Sequence, residues 1–200
     1  MKKTLLLVAS VAFAAPQAFA QAKSFEGFSL GANMAITTST VDFTKAGITL
    51  SNNDTTTGLD LQAQYAAALG PQFVLGVGVT VGTGNNKAGA LSSGGTTIEF
   101  TTKNRTSFDI IPGYAISDTA MVFGKLSLLN ADAVATIGSN SDSKSISGVG
   151  YGFGLRGMID KKMFYQVGYD INKYNENDIG SGVIMKPSST ALSLGVGYKF

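Results

Sequence analysis

Apolar and polar residues alternate with period two along most of this chain, and the last stretch shows it best. Leu192, Leu194, Val196, Tyr198 and Phe200 fall on one face, while Ala191, Ser193, Gly195, Gly197 and Lys199 take the other, as a half-buried strand requires. The strand stops on its apolar face, with aromatics at its last and third-last positions. A soluble sheet edge is blunted by charge, whereas an aromatic end suits a lipid headgroup belt. Seven earlier segments carry the same alternation: Phe25–Thr37, Thr57–Leu69, Phe73–Thr83, a long strand ending at Ile116, Met121–Ala135, Ile146–Ile159 and Met163–Lys173. Both parities of Met121–Ala135 carry apolar residues. There Val122, Leu126 and Leu128 are read as outward, and Phe123, Lys125 and Ser127 as inward.

The connections sort into two kinds. Gly70-Pro71-Gln72, Ser117–Ala120 and Asp160–Lys162 are tight turns, whereas Thr38–Thr56, Gly84–Gly95, Gly138–Ser145 and Asn175–Ser189 read as longer polar loops. Short and long alternate, so an up-and-down sheet would gather the tight turns at one end and the loops at the other. Pro112 cannot donate to a ladder, which predicts a bulge close by.

Met1–Ala20 has Lys2 and Lys3, an apolar run from Leu5 to Ala15, and the small-residue ending Ala18-Phe19-Ala20. This is the layout of a cleavable signal peptide, with cleavage expected before Gln21, and the run is too short to span a membrane as a helix. The expected organisation is a signal peptide over 1–20 and one domain over 21–200. Without Lys2 and Lys3, the fifteen basic residues fall to the same number as the thirteen acidic ones. A balanced chain has no electrostatic footprint for nucleic acid. There is no cysteine to form a disulfide or carry a lipid, and no histidine to act as a general base. No loop has the acidic spacing of a calcium site. The sequence thus predicts no enzyme, catalytic residue, cofactor or metal.

If the apolar faces look outward, Asp60, Asp109, Lys125, Arg156, Asp170 and Lys199 look inward, with Gln62, Gln64 and Gln166. Charges in a narrow lipid-walled space must pair. Lys125 and Arg156 are therefore expected to be bridged by Asp109 and Asp170, either as a plug or as the lining of a narrow path. The alternating Gly148, Gly150, Gly152 and Gly154 make room for side chains of neighbouring strands; no helix follows them, so they are no nucleotide loop.

Several stretches carry a family likeness: Gly27–Ala32, Pro112–Ile116, Phe123–Leu126, Gly152–Gly157 and Gly195–Phe200. Together they span the chain after residue 20, which resembles the small outer-membrane barrels: the outer-membrane protein A barrel, its X-type relatives and the opacity-type adhesins. The resemblance implies an all-β, eight-stranded, antiparallel, up-and-down transmembrane barrel in the outer membrane of a Gram-negative bacterium, with both termini periplasmic. It implies membrane lipid and lipopolysaccharide as surroundings, and the barrel assembly machinery as a partner reading Tyr198 and Phe200. The expected role is structural and adhesin-like, through extracellular loops that meet a host or extracellular ligand, with the protein a monomer. The alternative is a narrow porin-like channel for small solutes or ions.

Overall fold

The computed structural model describes residues 21–93, 96–178 and 184–200; the predicted signal peptide lies outside them. Its strands are β1 (Gly27–Lys45), β2 (Ile48–Ala68), β3 (Phe73–Gly82), β4 (Asn86–Ser93), β5 (Thr96–Ala115), β6 (Ala120–Ile137), β7 (Asn140–Met158), β8 (Met163–Tyr174), β9 (Asn177–Asp178) and β10 (Ile184–Lys199). Eight of them form an antiparallel ring in the order β1-β2-β3-β5-β6-β7-β8-β10, closed by a β1–β10 ladder running from Ser29↔Lys199 to Thr44↔Ile184. The sequence-predicted eight-stranded barrel is this ring. Among the described residues, β4 pairs only with β5, and β9 only with β10.

The predicted tight turns lie together at one end, here the turn end. They are closed by backbone bonds from Leu69 N–H to the Phe73 carbonyl (2.9 Å), Ile116 to Ala120 (2.8 Å) and Ile159 to Met163 (2.8 Å). From there each ring strand presents a run of outward apolar side chains, such as Phe28, Leu30, Met34 and Ile36 on β1 and Leu192, Leu194, Val196 and Tyr198 on β10, all exposed. Nine residues at a rise of ~3.3 Å, tilted ~40°, give a band roughly 20–25 Å tall, the height of a hydrocarbon core. Aromatic pairs edge it at the turn end: Phe28–Phe200 at 5.7 Å, Tyr198–Phe200 at 5.0 Å and Phe73–Tyr114 at 5.3 Å between ring centroids. The inward and outward assignment of β6 matches the structure: Leu126 and Leu128 are exposed outside, while Ser127 is buried.

The expected long loops are corrected. β1 does not stop at Thr37 but runs to Lys45, and β2 begins at Ile48, so most of Thr38–Thr56 is hairpin. β4 occupies much of Gly84–Gly95, β7 starts at Asn140, and β9 and the start of β10 fall within Asn175–Ser189. The first strand also begins later than predicted, at Gly27, because Ala22–Phe25 forms a 3-10 turn.

These extensions build a crown beyond the apolar band, and there the polarity of the wall inverts. Along β1 the outward positions become Thr38, Thr40, Asp42 and Thr44, while inward Val41 and Phe43 are buried. A strand facing hydrocarbon outside and polar groups inside becomes, without a break, one facing water outside and a greasy core inside. β5 makes the same change by geometry. Its pairing with β6 slips between Lys103 and Thr106, where Asn104 takes a left-handed φ of 51°. This bulge moves the inward face from Ile98, Phe100 and Thr102 above it to Arg105, Ser107 and Asp109 below it. The predicted bulge therefore sits at Asn104, not near Pro112, where the β5–β6 register stays in phase from Ile110↔Leu126 to Gly113↔Phe123.

Above the band the ring divides into two sheets. β3 ends at Gly82 opposite Asp60, and β8 ends at Tyr174 opposite Gly148. Among the described residues, β9, β10, β1 and β2 remain paired on one side and β4, β5, β6 and β7 on the other. Between them lies an apolar cluster of Val41, Phe43, Ala88 and Met185, with Phe100 and Ala133 packed against it. One seam is stitched by Lys87 N–H to Thr56 Oγ1 (3.2 Å), Thr83 N–H to the Leu59 carbonyl (2.9 Å), and the Asn52 amide to the Ala90 carbonyl.

Candidate functional site

Three layers fill the barrel between the turn end and the crown. The first is apolar: Ala22 and Phe25 of the 3-10 turn pack into a cluster with Ala66, Val74, Ala115 and Met121, flanked by Phe123 and Met158.

The second layer centres on Arg156. It lies on β7 and is 5% exposed. Its Nε and one terminal nitrogen donate to Gln166 Oε1 at 3.1 and 2.7 Å, and the same terminal nitrogen reaches Gln64 Oε1 at 2.9 Å. Gln166 donates onward to Asn33 Oδ1 (2.7 Å) and Gln62 Oε1 (3.1 Å), so the layer ties β1, β2, β7 and β8 together. The guanidinium lies 4.3 Å from the centroid of the Phe164 ring and 5.9 Å from that of Phe123.

The third layer carries the ion pairs. Lys125 Nζ lies 2.7 Å from Asp170 Oδ1, and Arg105 lies 2.9 Å from Asp60 Oδ1. Asp109 is fully buried and accepts hydrogen bonds from Thr80 Oγ1 (2.7 Å) and Ser127 Oγ (2.6 Å). A Cβ on Gly82 would come within 2.7 Å of the Arg105 Cζ, so that glycine gives the guanidinium its place against the wall.

Of the sequence-predicted interior charges, the structure therefore joins Lys125 to Asp170. It does not join Arg156 to Asp109 or Asp170. Amide oxygens occupy the Arg156 donors, and Asp109 sits in register with Gly78 and Ser127, where hydroxyls reach both its oxygens. Asp60 takes Arg105, a residue that parity reasoning missed. The bulge at Asn104 turns Arg105 inward; Thr101 to Ser107 are polar on both parities, so the change of phase leaves no mark in the alternation, and Asn104, a residue type that tolerates a left-handed φ, is the one signal. Lys199 belongs to the turn-end mouth, where Nζ donates to the Ser24 carbonyl at 2.6 Å. Tyr198 and Phe200 lie outside, in the aromatic edge.

The space left among these layers is small. A cavity of about 40 Å³ lies beside Arg156, Gln166 and Lys125, one of about 60 Å³ between Lys125, Arg105 and Tyr174, and one of about 10 Å³ between Arg105, Asn86 and Ser188. A water molecule needs ~10–15 Å³ of such space. These are pockets for single waters or small groups of them; Lys125 and Asp170 line both the first and the second, and Arg105 lines the second and the third. Among the described residues no three histidine, cysteine or acidic side chains group as metal ligands.

A closed eight-strand ring, an outward apolar band, an aromatic edge and a polar interior are the marks of a barrel in lipid. The family model of the outer membrane protein beta-barrel domain matches residues 4–200. The chain belongs to this family. It is an outer-membrane β-barrel protein. Similar folds include Ail, the attachment invasion locus protein of Yersinia pestis, at 18% identity over 88% of this chain and 99% of Ail, with a TM-score of 0.51. Neisserial surface protein A is similar at 15% identity over 88% and 98%, with a TM-score of 0.56. The outer membrane protein OprG of Pseudomonas aeruginosa is similar at 13% identity over 88% and 96%, with a TM-score of 0.58. At such identities the likeness is one of fold. No curated protein matches the chain.

Proposed function

We propose that this barrel is a non-conducting, non-enzymatic anchor whose crown makes surface contacts, in the manner of an adhesin. The carrying observation is the inverted crown: its inside is an apolar core built on Phe43 and Phe100, and its outside offers hydroxyls and charges to water. A channel mouth would instead need a wetted interior. The three filled layers and the water-sized cavities below support the same reading. The crown is the extracellular end, and the turns and both termini are periplasmic once the signal peptide over 1–20 has been removed. Lipid and lipopolysaccharide surround the monomer, and Tyr198 and Phe200 present the end read by the assembly machinery. The likeness in fold to a protein named for attachment and invasion agrees with a contact role.

The test is single-channel recording on refolded Gln21–Phe200, paired with adhesion of bacteria displaying the protein to host-cell matrix. A silent bilayer from a sample with a folded unheated gel band is expected. So is adhesion that drops when residues 38–57 are replaced by a two-residue turn. Discrete openings that change when Lys125 or Arg156 is neutralised would replace this reading with the narrow channel. Adhesion unchanged without the hairpin would remove the crown's role.

A further inference from the structure

The 3-10 turn at Ala22–Phe25 stands apart from the wall. It belongs to no ladder, and Gly27, the first residue of β1, takes a φ of 121° that side-chain-bearing residues rarely adopt. Ala22 and Phe25 point into the barrel and are buried, whereas Lys23 and Ser24 border an open cavity of about 610 Å³ at the turn end, shared with Asp160, Lys161 and Lys199. That cavity is far larger than any of the three described within the barrel, so this turn separates the open mouth from the filled lumen.

The seat is composite. Its apolar wall comes from Ala66 on β2, Val74 on β3, Ala115 on β5, Met121 on β6 and Met158 on β7. Three polar latches hold the rim: Ala22 N–H to the Pro71 carbonyl (3.2 Å), Gln72 Nε2 to Gln21 Oε1 (3.3 Å), and Lys199 Nζ on β10 to the Ser24 carbonyl (2.6 Å). A seat assembled from six strands, including the last, does not exist until the ring has closed. Its small residues, Ala66 and Ala115, leave the hollow that Phe25 fills.

We propose that Gln21–Phe25 is a detachable stopper: it docks onto the completed barrel, closes the turn end against water, and undocks without unfolding the ring. The proposal deepens the non-conducting reading by naming the segment that closes this end. Docking buries one phenylalanine and one alanine with three hydrogen bonds, two of them long and one a short bond from the Lys199 ammonium, a small contact beside the eight ladders that hold the ring.

The absence of cysteine allows a direct test. Ala66→Cys places one thiol on the floor of the seat with little added volume, and a water-soluble maleimide reports its access. Three refolded chains are compared: Gln21–Phe200, Glu26–Phe200, and Gln21–Phe200 with Phe25→Gly, each carrying Ala66→Cys and each checked by its unheated gel band. Labelling is expected to be at least about tenfold faster in the second and third, with the folded band kept. During refolding, the thiol of the first chain should become protected together with that band or after it. Equal labelling in the folded chains, protection that precedes ring closure, or loss of the folded band in both altered chains would overturn the stopper. Conductance of the intact chain would overturn the non-conducting reading instead, and leave the labelling comparison standing.

Discussion

Phe43 on β1 and Phe100 on β5 face each other with ring centroids 4.8 Å apart, across two sheets joined by no ladder at that height among the described residues. This contact, with Met185 and Val41 around it, is the core of the crown. Truncating Phe43 to alanine removes a buried aromatic, which costs about 3–5 kcal/mol in a well-packed site. That loss should fall on the crown alone, because the ladders below Thr37 do not depend on it. Phe43→Ala is expected to speed amide exchange and proteolysis within residues 38–57, while the heat-dependent gel shift of the barrel stays as in the parent.

Arg156 is held by two glutamines and two aromatic faces, without a carboxylate. Arg156→Ala leaves Gln64 and Gln166 without their donor and opens a void, a loss of about 3–5 kcal/mol. Arg156→Met refills the space against Phe164 and should recover part of it. Urea midpoints of the refolded protein in lipid check the order: parent, then methionine, then alanine.

Lys125 and Asp170 form the one pair that the sequence reading and the structure share. Each single neutralisation, Lys125→Met or Asp170→Asn, strands its partner in a half-buried site. The double substitution should be less destabilised than the sum of the singles, with a coupling of about 1–3 kcal/mol. Denaturant titration of the four proteins measures it. Additive losses would mean that the lumen solvates each charge independently.

Asp160 closes the β7–β8 turn by accepting the backbone N–H groups of Met163 (2.6 Å) and Lys162 (2.7 Å). Those bonds, Met163 first, hold its carboxyl below the ordinary aspartate range. A carboxylate whose folded pKa is depressed adds stability above its unfolded pKa and loses it as pH falls through the folded one. Asp160→Asn should therefore be less stable than the parent at pH 7. The gap should narrow below about pH 4 and vanish at still lower pH. Thermal unfolding of both proteins across that range checks the sign.

The lipid-facing wall is legible because its outward positions follow period two on most strands. Leu192 to Phe200 and Phe28 to Ile36 are apolar at every even position, and Pro71, Asp118 and Asp160 mark the turns between such runs. The crown was not legible, because Val41 and Phe43 occupy the opposite parity from Phe28–Ile36, and a reading tuned to outward apolar residues takes them for loop. Arg105 was hidden by the residue before it, since a bulge is visible in pairing and not in composition. Of the Ala22–Phe25 turn the alternation claims only Phe25, as the start of a strand that begins two residues later, at Gly27. Interior partners were only half legible: parity says which charges face inward, but the choice between Gln166 and Asp109 for Arg156 depends on height along tilted strands.

The two ways in which the wall changes polarity differ in how they would fail. On β1 the switch is spelled in the residues, so it holds as long as Val41 and Phe43 stay apolar and the outward positions beside them stay polar. On β5 it is a matter of phase. Ile98 and Phe100 share even numbering with Phe108 and Ile110, and only the extra residue at Asn104 sends the first two inward and the last two outward. Loss of that single codon would act as a frameshift in space, preserving every other side chain and turning the crown part of β5 inside out. Outward crown positions such as Glu99 and Thr101 can therefore drift in sequence at little cost, while an insertion or deletion at Asn104 cannot be absorbed. Variation on the exposed face should accumulate by substitution and avoid changes of length at that point.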